Sequence, residues 1–269
     1  MKYDLHVHSD VSDGKISRNE IIENAIKKKL EYISFTEHNV FEPLAIEKTY
    51  LKSNIKFING IEFDMICDKS FHLLCYFDEF DDEIKNIINL YKQNINDRSE
   101  ILVNRISKLH NINVKLEDIK EALNKEYITK RDIIDWLISN KYAQTVYEAS
   151  CKYTGKKSIS YVPKFSLNFK DTAYKLQGVG CKLVLAHPST LGYDYSELDK
   201  FIKKLINLGL DGIEITNTSK ITSIEKQLYK LLALKYDLLT SGGSDFHNFN
   251  DNDLGIEDEN SKKIIKLLK

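Results

Sequence analysis

The chain lacks any long apolar run: nothing approaches the roughly 18 consecutive apolar residues that a membrane-spanning helix needs. It lacks charge of one sign as well. Lysine and arginine number 39 against 40 acids over 269 residues, a formal net charge of −1. No long-range field for DNA, RNA or an anionic membrane is expected, so any phosphate recognition has to be local. Cysteine is scarce and scattered. Cys67, Cys75, Cys151 and Cys181 form no Cys-x-x-Cys pair and no dense framework, which fits a reducing cytosol and core-filling roles. Internal repeats and low-complexity linkers are missing too. The first strand-like run starts almost at Met1 and leaves no room for a signal peptide, so the expectation is a soluble cytoplasmic protein. These features say nothing of oligomeric state, and the length suits one large α/β domain or two smaller ones.

What is present is histidine in strand-like places. The run Asp-Leu-His-Val-His-Ser at 4–9 and the run Ser-Asp-Phe-His at 244–247 each carry a pair of side chains two apart. If both runs are strand ends, His6 shares a face with His8, and Asp245 with His247. Imidazole and carboxylate together suit a borderline divalent metal such as Zn, Mn or Fe.

Along the chain, residues 3–8 read as a strand, and Ser17 with Glu20 forms a capping box ahead of Ile21, Ile22, Ala25, Ile26 and Leu30 at helical spacing. Strands follow at 32–36, 56–63 and 71–77, with a short helical segment after Pro43. From Asp81 to about Lys157 apolar residues recur at three and four, which predicts a helical block inserted into a strand-helix alternation. Alternation resumes with a helix at 171–177, a strand at 182–186 and a helix at 196–208. A strand at 212–216, a helix from the Thr222/Glu225 capping box to Lys235, a last strand at 238–241 and a Lys-rich final helix complete it. About seven strands separated by helices predict a parallel α/β barrel, residues 1–80 and 158–269, with residues 81–157 as a helical insertion capping its mouth. In such barrels function gathers at the C-terminal ends of the strands.

Six of the seven histidines, His6, His8, His38, His72, His187 and His247, fall in or at the end of a proposed strand; His110 lies in the helical block. Singly, each is more often a packed or solvated histidine than a ligand. Six together, joined by Asp13, Glu62 and Asp245, are hard to obtain from independent packing choices. Asp13-Gly14 also reads as an ordinary turn pair. Gly242-Gly243 reads either as a flexible strand exit or as room for close approach of substrate.

His6 and His8 in DLHVHS with Asp13-Gly14, His38 in FTEHN, Glu62 in GIEF, His72 in FHLLCYF, His187 in LAHP, and Asp245 and His247 in GSDFH closely resemble the PHP (polymerase and histidinol phosphatase) family of metal-dependent phosphoesterases. The resemblance covers essentially the whole chain. It implies a distorted (β/α)7 barrel and two or three divalent ions, Mn, Fe or Zn. One would be held by His6, His8, Glu62 and Asp245, a second by Glu62, His72 and His187, a third by Asp13, His38 and His247. Glu37 departs from the family's usual Thr-Asp-His, which bears on the orientation of the neighbouring ligand histidine. The helical insertion and the run SYVPK at 160–164 are most similar to the 3′,5′-nucleoside bisphosphate phosphatase branch, which also includes short-RNA exonucleases; histidinol phosphatases share the metal motifs.

The implied chemistry is hydrolysis of a phosphate monoester of a small metabolite, such as a nucleoside 3′,5′-bisphosphate. A metal-bound hydroxide, held by Glu62, Asp245 and His187, would attack phosphorus without a covalent enzyme intermediate. Lys130 and Arg131 in ITKRDII, then Lys164 and Arg98, are the candidate phosphate-binding cations. A helical cap and a near-neutral chain favour a small phosphorylated substrate over duplex nucleic acid or a long single strand. A non-catalytic metal-binding interaction module is the reading from another class, and the complete ligand set weighs against it.

Overall fold

The computed structural model describes residues 1–44, 53–218, 220–250 and 253–268. Two compact units are present, Met1–Lys85 with Leu167–Lys269, and Asn86–Ser166. The helical segment expected after Pro43 lies outside the described residues.

Among the described residues the first unit has ten strands: β1 Lys2–Val7, β2 Tyr32–Phe35, β3 Lys56–Phe57, β4 Asn59–Ile66, β5 Ser70–Phe77, β6 Leu167–Asn168, β7 Lys182–Leu185, β8 Gly212–Asn217, β9 Leu239–Gly243 and β10 Ile256–Glu257. They form a four-stranded sheet in the order β10-β1-β2-β3 and a six-stranded sheet in the order β6-β4-β5-β7-β8-β9. Two isolated parallel bridges join the sheets, Val7 to Phe246 and His38 to Glu62. At the first, the His8 amide donates to the Phe246 carbonyl (2.8 Å); at the second, the Asn39 amide donates to the Glu62 carbonyl (2.9 Å). Seven strands, β1, β2, β4, β5, β7, β8 and β9, therefore follow one another around a distorted barrel.

Three expectations are corrected. The strand expected at 56–63 breaks at Ile58, and its two pieces join different sheets. The barrel is not wholly parallel: β4 and β5 form an antiparallel hairpin, and β5 pairs antiparallel with β7. The strand ending at Gly243 is followed by a further one, β10, antiparallel to β1.

Glycine decides how tightly the strands approach. A Cβ on Gly243 would lie 2.5 Å from the His6 Cβ and backbone nitrogen, and one on Gly242 would lie 2.8 Å from Ile256. These two glycines make room for neighbouring strands. Helices α1 Arg18–Lys27, α6 Phe169–Gly178, α7 Tyr195–Asn207, α8 Ser223–Tyr236 and α9 Lys262–Leu267 belong to the same unit. The capping boxes read at Ser17/Glu20 and Thr222/Glu225 are both formed. Tyr3, Leu5, Leu74, Tyr76, Val184 and Leu239 are part of one buried cluster; Val7, Ile21, Ile22, Ala25 and Phe246 belong to another, which α1 helps to form.

The second unit is helical. It takes most of α2 (Asp82–His110), with α3 Leu116–Leu123, α4 Lys130–Ser139 and α5 Val146–Ala149, the last running into a π-helical turn at Ser150–Thr154. Leu102, Val103, Ile106, Ile119, Ile133 and Leu137 are among its buried residues. Among the described residues no helix is long and apolar enough to cross a membrane.

Candidate metal centre

The hairpin register builds the first part of the site. Asp64 on β4 lies directly opposite His72 on β5, and Glu62 lies opposite Leu74, so Glu62, Asp64 and His72 share one face. His72 is held between two carboxylates, Nδ1 3.0 Å from Glu62 Oε1 and Nε2 3.0 Å from Asp64 Oδ1. Asp64 is itself fixed by Asn39, whose side-chain amide donates to Oδ2 at 3.1 Å.

Loops at the strand ends bring the rest. Past β7, alternation turns Val184 and Ala186 into the cluster with Leu74 and would send the next residue the other way. His187 instead takes φ +23, and the kink places its Nε2 2.9 Å from Glu62 Oε1. The run at 244–247 lies beyond the end of β9, and Phe246 within it bridges Val7. Asp245 adopts the left-handed conformation (φ +54), which breaks the pleat between β9 and His247. Asp245 Oδ1 lies 3.3 Å from Nε2 of both His6 and His8. His247 Nε2 lies 3.4 Å from Asp13 Oδ1, on the loop after His8.

One carboxylate is common to most of these contacts. Glu62, fully buried, presents Oε1 to His72 and His187, and Oε2 to His6 Nε2 (3.3 Å), His8 Nε2 (3.2 Å) and His38 Nδ1 (3.2 Å). The donor atoms fall into three overlapping groups able to hold an ion: His6, His8, Glu62 and Asp245; His8, Asp13, His38 and His247; and His38, Glu62 and His72. The first group coincides with one of the expected sets. The second gains His8, and the third has His38 where the expected set had His187.

The charges explain why these atoms suit a cation. Burial alone would push the His8 imidazolium down, but the Asp245 and Glu62 carboxylates outweigh it and its pKa rises to about 9; His72 rises to about 9 against the same opposition, through Glu62 and Asp64. Burial and the neighbouring imidazoles leave His38 at about 4 although Glu62 and Asp13 favour its charged form. Burial opposes ionisation of Glu62 and Asp245, yet the surrounding histidines hold both well below the usual carboxylate range. His6 Nε2, His8 Nε2 and Glu62 Oε2 are buried and make no well-formed hydrogen bond, although the two nitrogens lie 3.3 and 3.2 Å from that oxygen. Buried polar atoms left so are rare, and a bound ion is one of the few things that explains them. The nitrogen and oxygen donor set fits a divalent metal of the Mn, Fe or Zn kind.

A family model described as the PHP domain matches residues 4–162. The chain belongs to the PHP family. Among curated proteins, it is 21% identical to a 5′-3′ exoribonuclease of Salmonella typhimurium over 91% of this chain and 85% of that protein. It is 26% identical to a phosphoribosyl 1,2-cyclic phosphate 1,2-diphosphodiesterase of Eggerthella lenta, covering 91% and 93%. It is 22% identical to a 3′,5′-nucleoside bisphosphate phosphatase of Chromobacterium violaceum, covering 91% and 86%. In structure it resembles a protein from Bifidobacterium adolescentis described as a metal-dependent phosphoesterase, with a TM-score of 0.78, 22% identity and coverage of 99% and 95%. This PHP protein is accordingly a metal-dependent phosphoesterase, a hydrolase of the α/β fold expected from its sequence.

All nine residues expected as ligands meet in the barrel unit of the PHP chain; His187, outside the three donor groups, joins them through its ring contact with Glu62. The four expected phosphate-binding cations lie in the helical unit. Arg98 is buried and donates from Nε to the Pro163 carbonyl (2.7 Å) and from Nη2 to the Val162 carbonyl (2.9 Å). Arg131 pairs with Asp135 at 2.9 Å. Lys130 opens α4, where burial and the Arg98 charge lower its pKa, and Lys164 is exposed. Three residues of the barrel unit escaped the sequence reading. Glu214, fully buried on β8, faces His6 Nδ1 at 3.0 Å and accepts the His187 amide at 2.7 Å. Asp64 braces His72, and Lys220 forms an ion pair with Asp245. A carboxylate in the otherwise apolar run Gly-Ile-Glu-Ile was the available signal for Glu214.

Proposed function

We propose that this phosphoesterase acts on a ribose phosphate ester, most closely the phosphate monoester of a nucleoside 3′,5′-bisphosphate. The observation that carries the reading is the convergence of five imidazoles on the two oxygens of Glu62, with Asp245 beside them. Divalent cations there would supply the positive charge that neutralises phosphoryl oxygens and lowers the pKa of water towards about 7. His6, His8, Glu62 and Asp245 are the proposed ligands of one ion, with Asp13, His38, His247, His72 and His187 completing the ligand set.

The chain's own residues do the holding. Glu62 orients His72 and His187, Glu214 fixes the ring of His6 from its far side, and the kink at His187 keeps that imidazole on the site. Lys130, Arg131 and Lys164 are the proposed phosphate-binding cations. The substrate class rests on relatives whose names share a ribose phosphate: an exoribonuclease, a phosphoribosyl cyclic phosphate diphosphodiesterase and a nucleoside bisphosphate phosphatase.

A second reading, stepwise hydrolysis of short RNA, is favoured by the exoribonuclease likeness over 91% of the chain. The test is phosphate release from adenosine 3′,5′-bisphosphate and histidinol phosphate, set beside nucleotide release from short 5′-phosphorylated RNA, all with and without chelator. Chelator-sensitive turnover of the bisphosphate above the other two supports the first reading, and preferred turnover of RNA replaces it with the second. A metal-free chain inert towards all three sinks both and leaves a binding module.

A further inference from the structure

Glu37 stands in the segment that carries His38, is almost completely buried, and is not itself a member of any donor group. Its carboxylate gathers a loop instead. One oxygen accepts the Ser9 amide (3.0 Å) and the Ser12 hydroxyl (2.6 Å); the other accepts the Ser9 hydroxyl and the Arg18 Nε–H (3.3 Å). Arg18 is fixed in turn, donating to the Glu42 carbonyl at 2.8 Å and lying over the Phe35 ring at 5.3 Å. A buried carboxylate is costly unless compensated, and here the guanidinium and three O–H or N–H donors compensate it.

The clasp matters because of what the loop carries. Asp13 follows Ser12 directly, and its side chain is 55% exposed, so the loop backbone sets its position. That backbone folds back on Ser9, whose carbonyl accepts the amides of Ser12 (3.2 Å) and Gly14 (2.9 Å). Glu37 therefore grips both ends of the turn that presents Asp13 to His8, His38 and His247.

We propose that Glu37 is a positioning residue that holds the 9–13 loop and so sets the metal affinity of the His8–Asp13–His38–His247 group, leaving the buried His6–His8–Glu62–Asp245 group untouched. The inference rests on the ligand reading of those two groups. Its test is equilibrium binding and stoichiometry of Mn²⁺ in the full chain, with Asp13→Asn and Asp245→Asn identifying the class of sites each group provides. Glu37→Gln keeps the side chain's shape and removes its charge. It is expected to weaken the class lost in Asp13→Asn by about 10- to 100-fold, the usual range for partners that orient a ligand, with the other class unchanged. Ser12→Ala, on the partly exposed loop, is expected to act in the same direction by less, and it carries the test if Glu37→Gln does not fold. Equal weakening of both classes, or no change beyond about threefold in either variant, would overturn the inference. If Asp13→Asn itself removes no Mn²⁺, the ligand reading of Asp13 has failed, and the role of Glu37 goes with it.

Discussion

Glu62 and His187 are 125 positions apart in sequence and 2.9 Å apart in space. The same carboxylate touches His6, His8, His38 and His72, so its removal should dissolve the site as a whole. A ligand at about 100 times its Kd stabilises the folded state by about 2.7 kcal/mol. In a chain of this size that corresponds to a rise in Tm of about 5–10 °C. Wild type titrated with Mn²⁺ is expected to show such a rise by differential scanning calorimetry, and Glu62→Gln less than about 2 °C together with loss of phosphoesterase activity. An equal rise in the variant would remove Glu62 from the centre of the site.

The raised histidines make the metal-free protein and the metal affinity respond to pH in opposite senses. His8 and His72 are raised to about 9 without a metal. A raised folded-state pKa contributes stability that is complete below the unfolded value of about 6.5 and is lost as pH climbs through the folded one. Chelated protein should therefore lose Tm between about pH 6.5 and 9 on this account. Metal binding must expel those protons, so the affinity should rise over the same window, with proton release measurable by calorimetry in buffers of different ionisation enthalpy. Metal affinity independent of pH between 6.5 and 9 would show that these imidazoles are not displaced.

How far the sequence revealed this depended on the kind of structure each residue sits in. His6 and Glu62 lie on strands, and their place in the site was legible from the motifs DLHVHS and GIEF, although the register shift between Asp4 and Val7 of β1 was not. His187 and Asp245 were legible as residue types but not as geometry, because positive φ at both breaks the pleat that the reasoning relied on. Glu214 was missed because the site groups it touches, the His6 ring and the His187 amide, come from β1 and from the end of β7, far away in sequence. The break at Ile58 was illegible for a related reason, since a continuous apolar pattern does not record that its two halves pair with different sheets.

Gly243 and Gly178 make a matched pair for testing the closure of the barrel. A Cβ on Gly243 would fall 2.5 Å from His6, whereas one on Gly178 meets nothing within 4 Å. Gly243→Ala is expected to cost about 1–3 kcal/mol in urea unfolding, as overpacking does, and to weaken metal binding by moving His6. Gly178→Ala, in the last turn of α6, should instead stabilise by about 0.4–1 kcal/mol through the unfolded chain. A tolerant Gly243→Ala would mean that β1 and β9 can separate without consequence.

Arg98 separates a structural cation from a substrate-binding one. Its guanidinium is committed to two successive carbonyls, and Arg105 Nη1 donates to a third, that of Tyr161, at 2.6 Å. Together they hold the 161–163 segment against α2. Arg98→Ala is expected to lower stability by about 1–3 kcal/mol, the cost of leaving the buried Val162 acceptor and the part-buried Pro163 one without a charged donor. KM for the phosphorylated substrate should stay close to wild type. A tenfold rise in KM without loss of stability would restore Arg98 to the substrate site.

Lys220 is a cation that competes for a ligand. Its ammonium pairs with Asp245, the carboxylate that also faces His6 and His8, and it reaches there from a loop fixed at both its amide and its carbonyl. The amide donates to Asn217 Oδ1 at 3.1 Å, and the carbonyl accepts from the Ser189 hydroxyl at 2.6 Å. Any divalent ion binding Asp245 must share or displace that ammonium, and the lysine side chain is 36% exposed, so solvent weakens the pair. Discounted for solvent screening of the ammonium, the pair is worth about 1 kcal/mol, or about fivefold in affinity. Lys220→Met is therefore expected to tighten Mn²⁺ binding at the His6–His8–Glu62–Asp245 group by up to about fivefold, read by calorimetric titration at fixed ionic strength. The gain should shrink as salt is raised, because screening already weakens the competitor in wild type. Weaker binding in the variant would reverse the assignment and make Lys220 a support for Asp245 in its ion-holding position.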